Sequence, residues 1–536
     1  MPLILRRSRD LPEPGGWDAW CPVAGARPAL PPDRKLADLA PALESAFAAI
    51  RDDWRSFGRE LQAGPSAAFA HMPGAAADPS DFGVMLAWVK VADGLAAEAR
   101  RILAVCDDPW LFRALAGRPG VEAGAPPPLR LREAGLALRG AASRARVALQ
   151  SARTSFGRRW NVPQGGAALL VYGHPASDAQ GHDAYFGDLM RRFPELRRAV
   201  HVDCPLAAAG RLEADGRTAS LHRFGDPVTA LSLAATRWRP KSDDWLVRRA
   251  ACLEGSGGGA AMMHWQTACQ ERWLDAARPE AVAWPWENHP WERALVRAAR
   301  ARGIATVGYQ HTVVGPHQYN QSPHANRDGL ASIPDTILCS GPAARDELAA
   351  DGVPADRLAV AGAFRIAPPR PGLYDPRGPV FVALPYDAAL AAALVAALSD
   401  CAGDRRILVR PHPMYPHAFP ESESIRRADG PLDRQDRVSL VIYATGTVGL
   451  EAMLGGLPTV RFVPEDGFAI DVLPRGVPDE RVGPATLRQA LDRPPAPPVL
   501  ARDRILAPVG DAVWARALRL AVPVSDAAPR RARVAG

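Results

Sequence analysis

Lysine is nearly absent from this chain. Among 536 residues there are 65 Lys plus Arg, and only Lys35, Lys90 and Lys241 are lysines. The net charge of +7 is therefore carried by arginine, beside heavy use of Ala, Pro and Gly. That mixture reads as the coding bias of a GC-rich genome. It weakens the usual link between positive charge and a nucleic-acid partner, and no basic stretch with interleaved aromatics marks a nucleic-acid footprint. Cysteine is scattered: Cys21, Cys106, Cys204, Cys252, Cys269, Cys339 and Cys401 form no CxxC. A zinc ribbon and a thioredoxin-type pair are both excluded, and an odd, dispersed set suits a reducing cytoplasm. No apolar run reaches the eighteen or so residues of a membrane span. The opening MPLILRRSRDLPEPGG lacks the long apolar stretch of a signal peptide. There is no internal repeat.

What is present is a globular composition, 47% hydrophobic and 23% charged. At roughly 150 residues per domain the length predicts three to four units. Residues 1–160 read as a mainly helical region, with Ile102 to Cys106 as a short strand ending at Asp107 and Asp108. Within it, the segment from 129 to 160 carries Arg130, Arg132, Arg139, Arg144, Arg146, Arg153, Arg158 and Arg159 against one acid, Glu133. A basic amphipathic helix of this kind suits peripheral contact with an anionic inner-membrane surface, and equally suits a solvated face.

From 167 onward the pattern changes. The segments AALLVYGH, AVHVDC, AVAWPWEN, IATVGYQH, TILCSG and LAVAGAFR end in turn or polar residues and alternate with helical stretches. After a Pro-rich linker come VFVALPYD, RILVRPHP, LVIYATG and TVRFVPED. Continuous apolar runs separated by helices are the mark of parallel sheets covered on both faces. Two such series predict two Rossmann-like domains, an acceptor domain over 161–368 and a donor domain over 369–520, then a disordered tail over 521–536. Ligands of such sheets sit beyond the carboxyl ends of the strands, and polar residues collect there.

The candidate chemistry lies at those ends. In RILVRPHP a strand delivers Arg410 and His412, and Pro413 keeps His412 out of a helix. In YATGTVGLEAMLGGLP a strand runs into Thr445, Gly446 and Thr447 and then a helix, whose first N–H groups suit a phosphate. Glu451 lies one turn later, toward a ribose. There is no Walker lysine. In AWPWENHPWERAL, Glu287 stands among tryptophans with His289 and Glu292 nearby; it serves as general base or covalent nucleophile, or else begins the helix. His311 ends the next strand and pairs with Glu287 across one cleft. The His311, His317 and His324 spacing fits no zinc signature. His174, His182 and Asp183 are candidates for an acceptor sugar, or for an ordinary loop capped by Asp183. Ser340 starts a helix at the domain junction, and Arg365 ends a strand; either place fits a hinge or a phosphate contact.

In this order, these residues resemble bacterial glycosyltransferases of the GT-B type, nearest to those using CMP-activated 2-keto sugars: the Kdo, sialic acid and pseudaminic acid transferases. RPHP at 410–413 is similar to their HP motif, which implies that His412 contacts the CMP phosphate. ATGTVGLEAMLGGLP at 444–458 is similar to their phosphate loop. WPWENHPWE and GYQH resemble segments of surface-carbohydrate biosynthesis proteins. The resemblance spans roughly 165 to 515, whereas residues 1–160 match nothing. It implies a cytoplasmic, metal-independent enzyme with no cofactor beyond a CMP-sugar co-substrate. The product is a surface glycan or lipid-linked glycan extended by one acidic sugar. The paired-acid motif of several sialyltransferases has no counterpart, so the carboxylate is expected to be Glu287, as nucleophile or as base. The rival readings are a GT-B transferase with CDP-glycerol or a UDP-sugar as donor, and a non-catalytic capsule-assembly scaffold.

Overall fold

A computed structural model describes residues 2–64, 81–155, 162–365, 371–413 and 415–521. It contains three parallel sheets. The first has four strands, β1 (Leu3–Arg6), β2 (Ala19–Val23), β3 (Ile102–Cys106) and β4 (Val121–Ala123), in the order β2-β3-β1-β4. The helices expected before residue 160 are there, and Leu39–Ala49, Arg51–Leu61 and Phe82–Ala96 cover one face of this sheet through a core holding Leu43, Phe47, Trp54 and Phe82. The sheet beneath them is the difference from expectation. Its strands are short, and Pro22 sits on the edge strand β2, where a missing N–H breaks no ladder.

The second sheet orders β5 (Ala167–Val171), β6 (Arg197–Val200), β7 (Thr218–Ser220), β8 (Ala281–Pro285), β9 (Ala305–Gln310), β10 (Thr336–Cys339) and β11 (Leu358–Val360) as β11-β10-β9-β8-β5-β6-β7. The third orders β12 (Val380–Ala383), β13 (Ile407–Arg410), β14 (Ile425–Arg427), β15 (Leu440–Tyr443), β16 (Thr459–Phe462) and β17 (Arg481–Val482) as β14-β13-β12-β15-β16-β17. These are the two Rossmann-like α/β units. All ten apolar runs named above form strands. The three strands without a clear run, β7, β14 and β17, sit at edges or next to them and are only two or three residues long.

The last helix does not belong to the third sheet's unit, which was expected to run to 520. Helix Asp511–Leu518 returns to the second sheet, where Trp514 is fully buried with Phe186 and Tyr309. Close backbone packing fixes the crossing. A Cβ on Gly362 would overlap the Pro508 carbonyl, and one on Gly315 would lie 2.5 Å from the Asp471 carbonyl oxygen.

The arginine-rich helix forms as Leu129–Ser155; Arg158, Arg159 and the tail over 522–536 lie outside the described residues. Only Arg144 turns inward, donating to the carbonyls of Ala234 at 3.4 Å and Gly255 at 3.3 Å. Among the described residues no helix is long and apolar enough to cross a membrane.

Candidate active site

The site is built on the exit from β8. Trp284 and Trp286 are fully buried, and the chain turns through Asn288, whose φ of 61° is left-handed. Asparagine tolerates that region better than most residues. Its side chain locks the turn, donating to the Asn320 carbonyl at 2.7 Å and to Asn326 Oδ1 at 3.0 Å. Pro290 then opens helix Pro290–Arg300, the position where a missing N–H costs nothing. Glu292, at the third helical position, reaches back. Its Oε2 accepts from the N–H groups of Glu287 and Asn288, each at 3.0 Å, and from the Trp284 indole at 3.1 Å. The capping role thus belongs to Glu292, and Glu287 is left to project. Burial pushes the fully enclosed Glu292 carboxyl up to about 7.

Glu287 keeps 41% of its side chain exposed. Its Oε2 lies 2.8 Å from His289 Nε2, and its Oε1 lies 3.7 Å from His311 Nε2. Burial alone would raise this carboxyl. The hydrogen bond from His289 and the charges of His289, His311 and Arg365 outweigh it and hold Glu287 well below the usual carboxylate range. His289 moves the other way: burial opposes its charge, but the bond to Glu287 raises it. His311 is pushed down to about 4, chiefly by burial, and is neutral at pH 7.

Glu287 and His289 line a cavity of about 510 Å³ at the carboxyl ends of the second sheet, with Tyr172, His174, Tyr185 and His201, and His311 stands behind this lining against Glu287 and Tyr185. The His201 ring stacks on Tyr172 at 4.5 Å and meets the Trp291 edge at 4.3 Å, and burial pushes it down to about 3. Tyr415, from the loop after β13, lines the same cavity, so the third unit reaches the second one's site. The Arg365 guanidinium lies 4.6 Å from the Tyr185 ring and acts electrostatically on both Glu287 and Glu451. The sequence predicts His289 only as a neighbour of Glu287 and Arg365 only as a hinge or a phosphate contact, and carries no expectation for Tyr415; the signal for His289 lies in the alternation of Glu and His in WENHPWE.

On the third sheet, Arg410 ends β13 and His412 follows, half-buried, with burial lowering its pKa. The Tyr415 N–H donates to His412 Nδ1 at 3.3 Å, so the neutral ring carries its proton on Nε2. Tyr415 also stacks on that ring at 5.7 Å. Beyond β15, Gly446 has a φ of 109° with open space where a Cβ would stand. Thr447 donates to Glu451 Oε1 at 3.0 Å. Burial raises the Glu451 carboxyl, with Thr447 opposing. In this arrangement the Thr447 hydroxyl is committed to Glu451, and the Thr445 hydroxyl has no hydrogen-bond partner.

Other candidates are placed elsewhere. Ser340 is fully buried and donates to the Thr312 carbonyl at 2.7 Å, so its hydroxyl is committed to the loop and not to a phosphate. Asp183 is 1% exposed and caps the following turn, accepting from the N–H groups of Tyr185 at 2.9 Å and Phe186 at 3.2 Å. That is the ordinary loop reading. His182 bonds Asp188 at 2.9 Å and is not part of the cavity lining; His174 is. Among the described residues no group of three or more His, Cys, Asp or Glu side chains is placed to hold a metal ion.

No family model matches this chain, and no curated protein does. Solved structures do. The Anabaena protein Alr3699/HepE in complex with UDP and glucose aligns at 12% identity over 66% of this chain and 95% of its own, with a TM-score of 0.36. UDP-GlcNAc 2-epimerase from Methanocaldococcus jannaschii aligns at 11% identity over 63% and 94%, TM-score 0.35. MurG of Acinetobacter baumannii aligns at 12% over 61% and 90%, TM-score 0.33. These likenesses concern fold and transfer no activity.

Proposed function

We propose that this protein is a glycosyltransferase that moves an acidic 2-keto sugar (Kdo, sialic or pseudaminic acid) from CMP to a sugar hydroxyl of a surface glycan. The observation that carries the reading is Glu287, an ionised carboxylate at the end of a parallel sheet, in a cavity whose far wall includes Tyr415 from the RPHP loop. A carboxylate held far below neutral is a weak proton acceptor at pH 7. It suits instead the cationic anomeric carbon left when CMP departs, as a stabilising charge or as a covalent nucleophile. His412 Nε2–H, Arg410 and the backbone N–H groups at Thr445–Gly446–Thr447 suit the departing phosphate. Arg365 suits the sugar's own carboxylate.

The exposed face of helix Leu129–Ser155 supports peripheral contact with an anionic bilayer. Leu131, Leu138 and Leu149 are 77%, 75% and 60% exposed. Arg132, Arg139, Arg146 and Arg153 recur every two turns beside them and match the charge of acidic headgroups.

The test is Glu287→Gln with CMP-Kdo, CMP-sialate and CMP-pseudaminate as donors. Transfer should fall about 10²–10³-fold while CMP binding persists. Undiminished turnover overturns the role of Glu287. Protection of the protein against heat by UDP and not by CMP overturns the donor.

A further inference from the structure

Among the cavities outside the Glu287 site, one joins two of the sheets. It measures about 340 Å³ and opens between the first sheet and the third. Ala26, Arg27 and Trp88 line it from the N-terminal module; Tyr386, Thr445 and Phe468 line it from the donor unit. Residues 24–27 follow β2, Tyr386 follows β12, Thr445 follows β15, and Phe468 belongs to the loop after β16. The carboxyl ends of strands from two different sheets therefore converge on one space, where ligands of open parallel sheets bind.

The walls are fixed to each other. Lys35 pairs with Asp466 at 2.6 Å, Phe47 stacks on Phe468 at 4.4 Å, and the Ala40 N–H donates to the Glu465 carbonyl at 3.2 Å. Two features of the lining lack a structural explanation. Thr445 Oγ1 is buried without a hydrogen-bond partner, although buried hydroxyls are normally bonded. Ala24 holds a φ of 51°, a conformation L side chains rarely adopt, immediately before Gly25 at 79°. The cavity is also joined to the reaction site. Tyr386 lies 6.2 Å from the His412 ring and 6.4 Å from Tyr415, which lines the Glu287 cavity. His412 and the Thr445–Thr447 turn thus stand between two cavities.

We propose that this second cavity seats the nucleobase of the donor and that the N-terminal module, residues 2–123, forms one wall of it. The proposal rests on the reading that a nucleotide sugar is the donor. A planar heteroaromatic base fits between Trp88, Tyr386 and Phe468, since base–aromatic contact tolerates any base with a π-face. The base or ribose accepts from the Thr445 hydroxyl, which gives that group its missing partner. The phosphate then reaches His412 and the sugar reaches Glu287. Arg27, exposed at the rim, meets the ribose or phosphate edge. Donor choice would lie partly in residues 24–27, outside both Rossmann-like units.

The experiment is calorimetric titration of the full chain with CMP and with UDP, for wild type, Ala26→Phe, Arg27→Ala and His412→Ala, together with hydrogen exchange over residues 22–27. Expected are a tenfold or greater loss of nucleotide affinity in Ala26→Phe, a several-fold loss in Arg27→Ala, and slowed exchange over 22–27 on nucleotide addition. Should Ala26→Phe fail to fold, Arg27→Ala and the exchange data decide. Unchanged affinity in the module variants with unprotected residues 22–27 overturns the base seat. If His412→Ala still loses affinity in that case, the donor reading stands without it. Tight binding of UDP in place of CMP, lost in Ala26→Phe, keeps the seat and overturns the CMP reading. A wild type that binds neither nucleotide overturns both.

Discussion

His289 Nε2 lies 2.8 Å from Glu287 Oε2, across a turn that contains only Asn288 between them. The bond lowers the carboxyl and raises the imidazole, so it favours the charged form of both partners. In His289→Gln the largest influence opposing burial is gone, and only His311 and Arg365 still lower Glu287. Its carboxyl then titrates at higher pH, and the acidic limb of the kcat/KM profile moves toward neutrality. A pH–rate profile measures this, and an unmoved limb shows that His289 does not set the charge of Glu287.

Glu292 behaves oppositely. Burial raises it to about 7, so the folded state holds its proton more tightly than the unfolded chain, where an ordinary Glu titrates near 4.3. Its contribution to stability is therefore full below about 4.3 and is lost as pH rises toward 7. Glu292→Ala leaves buried N–H groups unpaired and should cost about 1–3 kcal/mol. Urea midpoints should differ from wild type more at pH 5 than at pH 8.

Gly449→Ala tests the proposed phosphate role of the Thr445–Thr447 turn without touching a ligand. A Cβ there would meet the Tyr443 ring at 2.5 Å, and Tyr443 is 1% exposed, so it has little room to yield. Overpacking of this kind costs about 1–3 kcal/mol. The melting temperature should fall, and CMP titration should show weaker binding because the helix start at Thr447–Val448 is displaced.

For the arginine-flanked helix, the triple variant Leu131→Glu, Leu138→Glu, Leu149→Glu removes exposed side chains and should leave the fold intact. Co-flotation with phosphatidylglycerol vesicles should be lost, while wild type floats with these and not with phosphatidylcholine. Wild type remaining in the dense fraction with both vesicles overturns membrane contact.

Legibility in the sequence followed burial. Strands enclosed on both faces, such as LVIY and AVAWP, read as continuous apolar runs because nothing in them meets water. The first sheet was hidden apart from Ile102–Cys106. Its strands LILR and AWCPV carry an arginine and a proline: Arg6 is the last residue of the inner strand β1, and Pro22 stands on the edge strand β2, where its missing N–H breaks no ladder. Glu287, His311 and His412 stood out as polar residues at strand ends, where a loop has no structural need of them. The commitment of Ser340 to Thr312, and of Asp183 to its own turn, lies in contacts of a few residues' reach that residue type alone does not specify. The partnership of Arg365 with both Glu287 and Glu451 depends on how the two units meet, and no local pattern encodes that.

Trp514 completes the packing around Phe186 and Tyr309, yet more than 100 residues, among them all of the third sheet, separate it from β11. On the ribosome, the second unit must therefore wait, its central aromatic cluster open, until the third has been synthesised. Its maturation is a late event in translation, and the interval is when this chain depends most on protection from aggregation.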